Sequence, residues 1–158
     1  MPASVVIKLN NLEEEVLISK LYEASGAGVK IDLIIRGICR LKPGVPGLSE
    51  NISIRRIVDR YLEHGRIFIF NNNDNPEIYL GSADWMKRNV YRRIEVCFPL
   101  YDPDLKNEMT EIITFQLKDN TSAVTLDEYG ANVALTPVDR KPLQAQYEIY
   151  QWIKTQLA

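Results

Sequence analysis

"SVVIKLNNLEEEVLISKLYEASGAGVKIDLIIRG", residues 4–37, decides the fold. "SVVIKL" is rich in β-branched and apolar residues and reads as a strand. A helix follows. Asn11 is its expected N-cap, Glu14 lies three residues on, and Glu13 to Glu15 complement the positive helix end. Leu12, Val16, Leu17 and Leu21 form the expected apolar stripe, and Gly26 or Gly28 stops the helix. "VKIDLIIRG" is almost continuously apolar, the pattern of a strand buried on both faces. Strand, helix and strand in this length make a βαβ unit, expected to be parallel and right-handed.

Working outward, "RLKPGVPGLSENI" (40–52) is an irregular basic loop carrying Arg40 and Lys42. "SIRRIVDRYL" (53–62) fits helical spacing but is β-branched, and is read as extended or mixed. "RIFIFNNNDNPEIYLGSADW" (66–85) reads as a hairpin across an Asn/Asp/Pro-rich turn. "RRIEVCFPL" (92–100) is a further strand. Asp102-Pro103 supplies an N-cap and an N1 proline for a helix over 104–119, with Leu105, Met109, Ile112, Ile113 and Gln116 on one side. "SAVTL" (122–126) is expected at a sheet edge. Pro142 opens a last helix, with Leu143, Tyr147, Tyr150 and Ile153 facing inward. The fold class is therefore α/β, a mixed β-sheet flanked by helices on both faces.

The 158 residues fit a single domain, 1–158, with a real core. The net charge of −2 gives no basic field for nucleic acid or an anionic membrane, so any anion site must be a local cluster of arginines. No apolar run is long enough to span a bilayer, and "MPASVVIKLNN" lacks the features of a signal peptide. Cys39 and Cys97 lie in apolar stretches and are expected as reduced core thiols. With a single histidine they make no zinc site. A cytoplasmic setting follows, and Met1-Pro2-Ala3 reads as an artificial start.

Three places could carry chemistry. Arg36 closes a buried strand, where open α/β sheets bind ligands, and its planar fork suits phosphate oxygens. An ion pair with a neighbouring carboxylate is the structural alternative. His64, in "YLEHGRIFIF" (61–70), stands between Arg60 and Arg66 at the mouth of a strand. It could attack phosphorus, protonate a leaving oxygen or hold one by hydrogen bond, or it could be a solvated turn residue. "LGSADWMKRN" (80–89) offers a close backbone approach and the Ser82 hydroxyl, with Lys87, Arg88, Arg92 and Arg93 just after it. Trp85 is expected to pack rather than stack on a ligand.

His-x-Arg before a strand, with Gly-Ser-Ala-Asp after the next, resembles the phospholipase D-like half-site, which runs His-x-Lys and then Gly-Ser-x-Asn. Arg66 stands where lysine is usual, Asp84 where asparagine is usual, and Asn71 at the usual acidic position. A closer resemblance runs from "KLNNLEEE" at 8 through "IRGICRLKPGVPGLSENI" (35–52), "YLEH" (61–64) and "GSADWM" (81–86) to "YDP" at 103. These residues resemble the C-terminal region of bacterial polyphosphate kinase, with the likeness weakening after about Asp119. The resemblance implies a phospholipase D-like half of a larger enzyme. That enzyme moves the terminal phosphate of ATP reversibly onto polyphosphate through a phosphohistidine, with Mg²⁺.

The phosphorylated histidine and the magnesium-associated residues are expected outside this chain, which itself holds no metal ligand. His64 is implied as a catalytic and phosphate-binding residue and Arg36 as an ATP phosphate ligand. Arg66, Lys87, Arg88, Arg92 and Arg93 are candidate polyphosphate contacts. Expected partners are ATP or ADP, polyphosphate and the remaining domains, in a homo-oligomer, with no nucleic acid. The full enzyme is expected in the cytoplasm, with membrane association a further expectation. The chain by itself is expected to fold but to be inactive. A phospholipase D-like phosphodiesterase and a non-catalytic polyphosphate-binding or assembly domain are the alternatives.

Overall fold

A computed structural model describes residues 3–135 and 141–156. Strand β1 (Ser4–Leu9), helix α1 (Glu15–Gly26) and strand β2 (Lys30–Ile35) form the expected unit, with Val5 opposite Ile31 and Leu9 opposite Ile35 in parallel register. β3 (Ile52–Ile57) adds in parallel to β2, so the ambiguous 53–62 segment is a strand followed by a loop. β4 (Ile67–Phe70) and β5 (Glu77–Gly81) are the expected hairpin, with β4 antiparallel to β1. At its tip Asn72, Asn73 and Asp74 all adopt positive φ, which asparagine and aspartate tolerate better than other side chains. A short helix α2 (Lys87–Arg92) leads to β6 (Cys97–Leu100), then come α3 (Pro103–Lys118), β7 (Ala123–Leu126), β8 (Asn132–Ala134) and α4 (Ala145–Gln156). The order across the sheet is β6-β5-β4-β1-β2-β3-β7-β8.

The strands alternate between two cores. Ile31, Leu33 and Ile35 of β2 pack with Ile18 and Leu21 of α1 on one face. Ile34 packs with Ile57, Ile67, Ile78 and Ile113 of α3 on the other. Helices on both faces, as expected for the fold class, follow from this double-sided burial of β2. Phe115 of α3 meets Trp152 of α4 at 6.3 Å, so α4 lies over α3 rather than over the sheet.

Several expectations fail for physical reasons. Glu14, not Asn11, caps α1, its carboxylate accepting from the Leu17 amide at 2.8 Å. Residues before it stay extended because Leu12 bridges to Cys39 and Trp85 and is fully buried. The helix therefore starts later, its buried face is Ile18, Leu21 and Ser25, and Val16 points outward. "SAVTL" is not an edge strand, since β8 pairs outside it. The last helix begins at Ala145 instead of following Pro142, and Tyr147, Tyr150 and Ile153 are exposed because α4 covers another helix. Leu105 is exposed in the first turn of α3. Cys39 is half-buried, but Cys97 is exposed on the outermost strand, so it is no core thiol, and both are free.

Candidate phosphate site at one edge of the sheet

The register brings the candidate residues to a single edge. β1, β2 and β3 end there, at Leu9, Ile35 and Ile57. β4 enters at the same edge, because Ile67 pairs with Lys8, and β5 leaves there, with Leu80 opposite Ile67. Asn10, Arg36, the loop 58–66 and the Gly81–Asp84 turn are therefore neighbours although up to 74 positions separate them in the chain.

Arg36 is half-buried just beyond β2, its amide bonded to the Leu9 carbonyl at 3.3 Å. Among the described residues no carboxylate pairs with its guanidinium. The ion pair offered by a structural reading is thus absent there, and the fork is available to an anion. Gly37 follows because a Cβ would sit 2.5 Å from the Asn11 side-chain oxygen. That oxygen accepts from the Ile38 amide at 2.9 Å.

Lys8 ties the histidine loop to the central strand β1. It projects from β1 into the α3-facing core and is buried. Its ammonium bonds the Glu63 carboxylate and donates to Gln116 Oε1 at 2.6 Å. Burial pushes its pKa down, the Glu63 charge pushes it back up, and the nearby Arg36 charge adds a further lowering. Gln116 and Gln146 also donate to Glu63, at 2.7 and 3.0 Å. Glu63 is therefore fixed, and His64 is the next residue.

His64 is exposed and lies against one guanidinium, not between two. Arg60 turns away and stacks over the Tyr61 ring at 5.5 Å. Arg66 instead wraps the histidine. Its Nη1 lies 2.6 Å from both His64 Nδ1 and the His64 carbonyl oxygen, and its Nη2 lies 3.2 Å from Nε2. The other side of the fork donates to Asp84, Nε to Oδ1 and Nη2 to Oδ2, each at 3.2 Å. Asp84 is 4% exposed and also accepts from the Asn10 amide at 2.9 Å and from Asn11 Nδ2 at 3.1 Å. Burial alone would raise its carboxyl, but the hydrogen bonds from Arg66 and Asn10 outweigh this and hold it below the usual range. Every nitrogen of the Arg66 fork faces Asp84 or His64.

The remaining candidates divide. Ser82 donates to Glu95 and accepts from the Val96 amide at 3.1 Å, so its hydroxyl ties the turn to β6. Hydrogen bonds from Ser82 and then Asn89 lower the Glu95 pKa. Trp85 packs on Phe68 with ring centres 5.8 Å apart, as expected. Lys87 pairs with Glu15 at 3.3 Å on the surface, where Arg40 also reaches Glu15. Arg88, Arg92 and Arg93 are exposed, and among the described residues no ion pair holds them.

Sequence reasoning missed Lys8, Glu63, Gln116, Gln146, Asn10 and Asn11. One signal was present: a lysine in an otherwise apolar central strand, "VVIKL", must find an acid. Which acid it finds needed the fold. Among the described residues no three His, Cys, Asp or Glu side chains converge to hold a metal, and the acids near the edge are taken by Arg66, Lys8, Ser82 and Asn89. This donor set does not fit Mg²⁺. No helix among the described residues is long and apolar enough to cross a membrane.

Comparison with known proteins agrees with this architecture. Residues 1–146 match the family described as "Polyphosphate kinase C-terminal domain 2". The chain is 48% identical over 147 residues to the polyphosphate kinase of Xylella fastidiosa, covering 92% of this chain and 21% of that protein. It is 43% identical over 155 residues to that of Escherichia coli K12, covering 98% of this chain and 22% of the relative. The crystal structure of polyphosphate kinase from Porphyromonas gingivalis superposes with a TM-score of 0.95 at 45% identity, over 98% of this chain and 24% of that one. A phospholipase D family member, Nuc from Salmonella typhimurium, shares the fold at a TM-score of 0.60 and 16% identity, over 78% of this chain and 82% of that one. The chain thus spans about a fifth of the length of the curated relatives it matches.

Proposed function

The chain belongs to the polyphosphate kinase C-terminal domain 2 family, and on that premise we propose that it supplies one side of an ATP:polyphosphate phosphotransferase site. The observation that carries this reading is a local one. Arg36, a guanidinium with no carboxylate partner among the described residues, lies within electrostatic reach of Lys8, and the acid that Lys8 holds adjoins His64. Arg36 binds a terminal phosphate of ATP. His64 hydrogen-bonds an oxygen of the phosphoryl group in transfer or protonates the oxygen it leaves. Charge that spreads over the phosphoryl oxygens in the transition state is met by these fixed groups.

The phosphohistidine, the Mg²⁺ site and the rest of the nucleotide contacts belong to the longer enzyme. Exposed Val58 and Leu62 in the histidine loop, and exposed Ile94 after α2, suit burial against its other domains. Arg88, Arg92 and Arg93 are left as contacts for polyphosphate, with Lys87 joining them when Glu15 releases it. The enzyme acts as a homo-oligomer in the cytoplasm, with a membrane-associated fraction.

A phosphodiesterase is the weaker reading. The lysine and asparagine usual in a phospholipase D-like half are Arg66 and Asp84 here, and they satisfy each other. In the full-length enzyme carrying this segment, Arg36→Ala should raise the KM for ATP. His64→Ala should cut kcat by about a hundredfold or more, the scale of a lost proton-transfer group. Wild-type turnover in both variants would reject the reading.

A further inference from the structure

We propose that Arg66 and Asp84 are positioning residues for His64: Asp84 fixes the Arg66 fork, and Arg66 sets the tautomer and orientation of the ring. The inference rests on the kinase reading only in its turnover arm. The chemistry begins with donors. A guanidinium can only donate, so a ring nitrogen that bonds to it must offer a lone pair. The nearer contact is at Nδ1, 2.6 Å from Nη1, and the contact of Nη2 with Nε2 is longer, at 3.2 Å. A neutral imidazole has one acceptor and one donor, so a bond at Nδ1 leaves the proton on Nε2. Nη1 also donates to the His64 carbonyl oxygen at 2.6 Å, which fixes the backbone of the residue it orients.

The arrangement holds only if Arg66 itself cannot move. Its side chain is 10% exposed and the Asp84 side chain 6%, and the two meet through two parallel bonds. Asp84 is anchored in turn by Asn10 and Asn11 at the end of β1. The pair therefore transmits the position of the central strand to an exposed histidine. A ring held this way donates a hydrogen bond from Nε2 and withholds the lone pair a nucleophile needs.

The chain contains a single histidine, so its ring nitrogens give unambiguous signals in an NMR spectrum of the ¹⁵N-histidine-labelled protein. With the ring neutral, the wild type should show the Nε2–H tautomer alone. Arg66→Lys and Asp84→Asn should shift it toward the mixture seen for free histidine, with the amide spectrum verifying the fold. If Asp84→Asn does not fold, Arg66→Lys carries the test, because it keeps a cation beside Asp84 but lacks the fork. An Nδ1–H tautomer in the wild type, or an unchanged ring in a folded variant, would overturn the proposal.

The second arm uses the full-length enzyme. Arg66→Lys should lower kcat by about ten- to a hundredfold, the usual cost of losing a supporting partner, with little change in the KM for ATP. In a His64→Ala background the same substitution should have no further effect, and full additivity would again overturn it. The tautomer arm needs no kinase activity, so failure of the kinase reading and failure of this inference are distinguishable.

Discussion

Asp84 shows how much one carboxylate can organise. It is buried, accepts four hydrogen bonds and joins three segments of chain: the end of β1, the histidine loop and the turn after β5. Its pKa is below the ordinary 3.8 in the folded state, so its contribution to stability is present above the unfolded value and is lost as pH falls through the folded one. Asp84→Asn should therefore cost about 1–3 kcal/mol above roughly pH 5, the scale of hydrogen bonds to a charged group. The gap to the wild type should narrow on acidification, and chemical denaturation across the acid range measures it. A gap independent of pH would mean that the charge is not what stabilises.

Lys8 makes a second case. Lys8→Met strands Glu63 among the side-chain amides of Gln116 and Gln146 and should cost about 3 kcal/mol. Adding Glu63→Gln should recover part of that loss, which denaturant melts of the single and double variants would reveal. Of these residues, only His64, Arg36 and the Arg66–Asp84 motif positions stood out in the sequence. The carboxylate that answers Lys8 lies 55 positions away, and no local pattern points to it.

Helix and strand ends are governed by a few polar side chains. Asp102 and Pro103 open α3 as their order suggests, the Asp102 carboxylate accepting from the amides of Asp104 and Leu105. At the other end Asp119 is fully buried and serves two elements. Oδ1 accepts from the amides of Thr121, Ser122 and Ala123, and Oδ2 from the Ala145 amide at 2.7 Å. Asp119→Asn keeps an acceptor for the turn into β7 but sets an amide nitrogen against the Ala145 N–H. Hydrogen exchange should then quicken in the first turn of α4 and stay slow in β7. Equal loss of protection in both elements would refute this division of labour. The start of α1 was misread because "NNLEEE" contains several plausible caps. The choice among them is made by Leu12, which two distant segments draw into bridges.

At the scale of the molecule, the chain has a core on both faces of its sheet but, on the proposed reading, supplies only one side of a phosphate site. Produced alone it should unfold cooperatively and show no transfer between ATP and polyphosphate, with luciferase detection of ATP formed from ADP and polyphosphate as the assay. Turnover at the rate of the full-length enzyme would show that the site is complete without further domains. What the sequence by itself determined is local: the βαβ unit, the β4–β5 hairpin with its asparagine turn and the capped α3. Those signals survive because periodicity, capping and turn chemistry act over a few residues. Only the tertiary structure decided that Arg36 stays free of a carboxylate among the described residues, that Arg66 is engaged by Asp84 and His64, and that α4 covers a helix instead of the sheet. Each of these depends on which distant strands become neighbours, because a charge is free or committed according to what the register of the sheet brings within hydrogen-bonding distance.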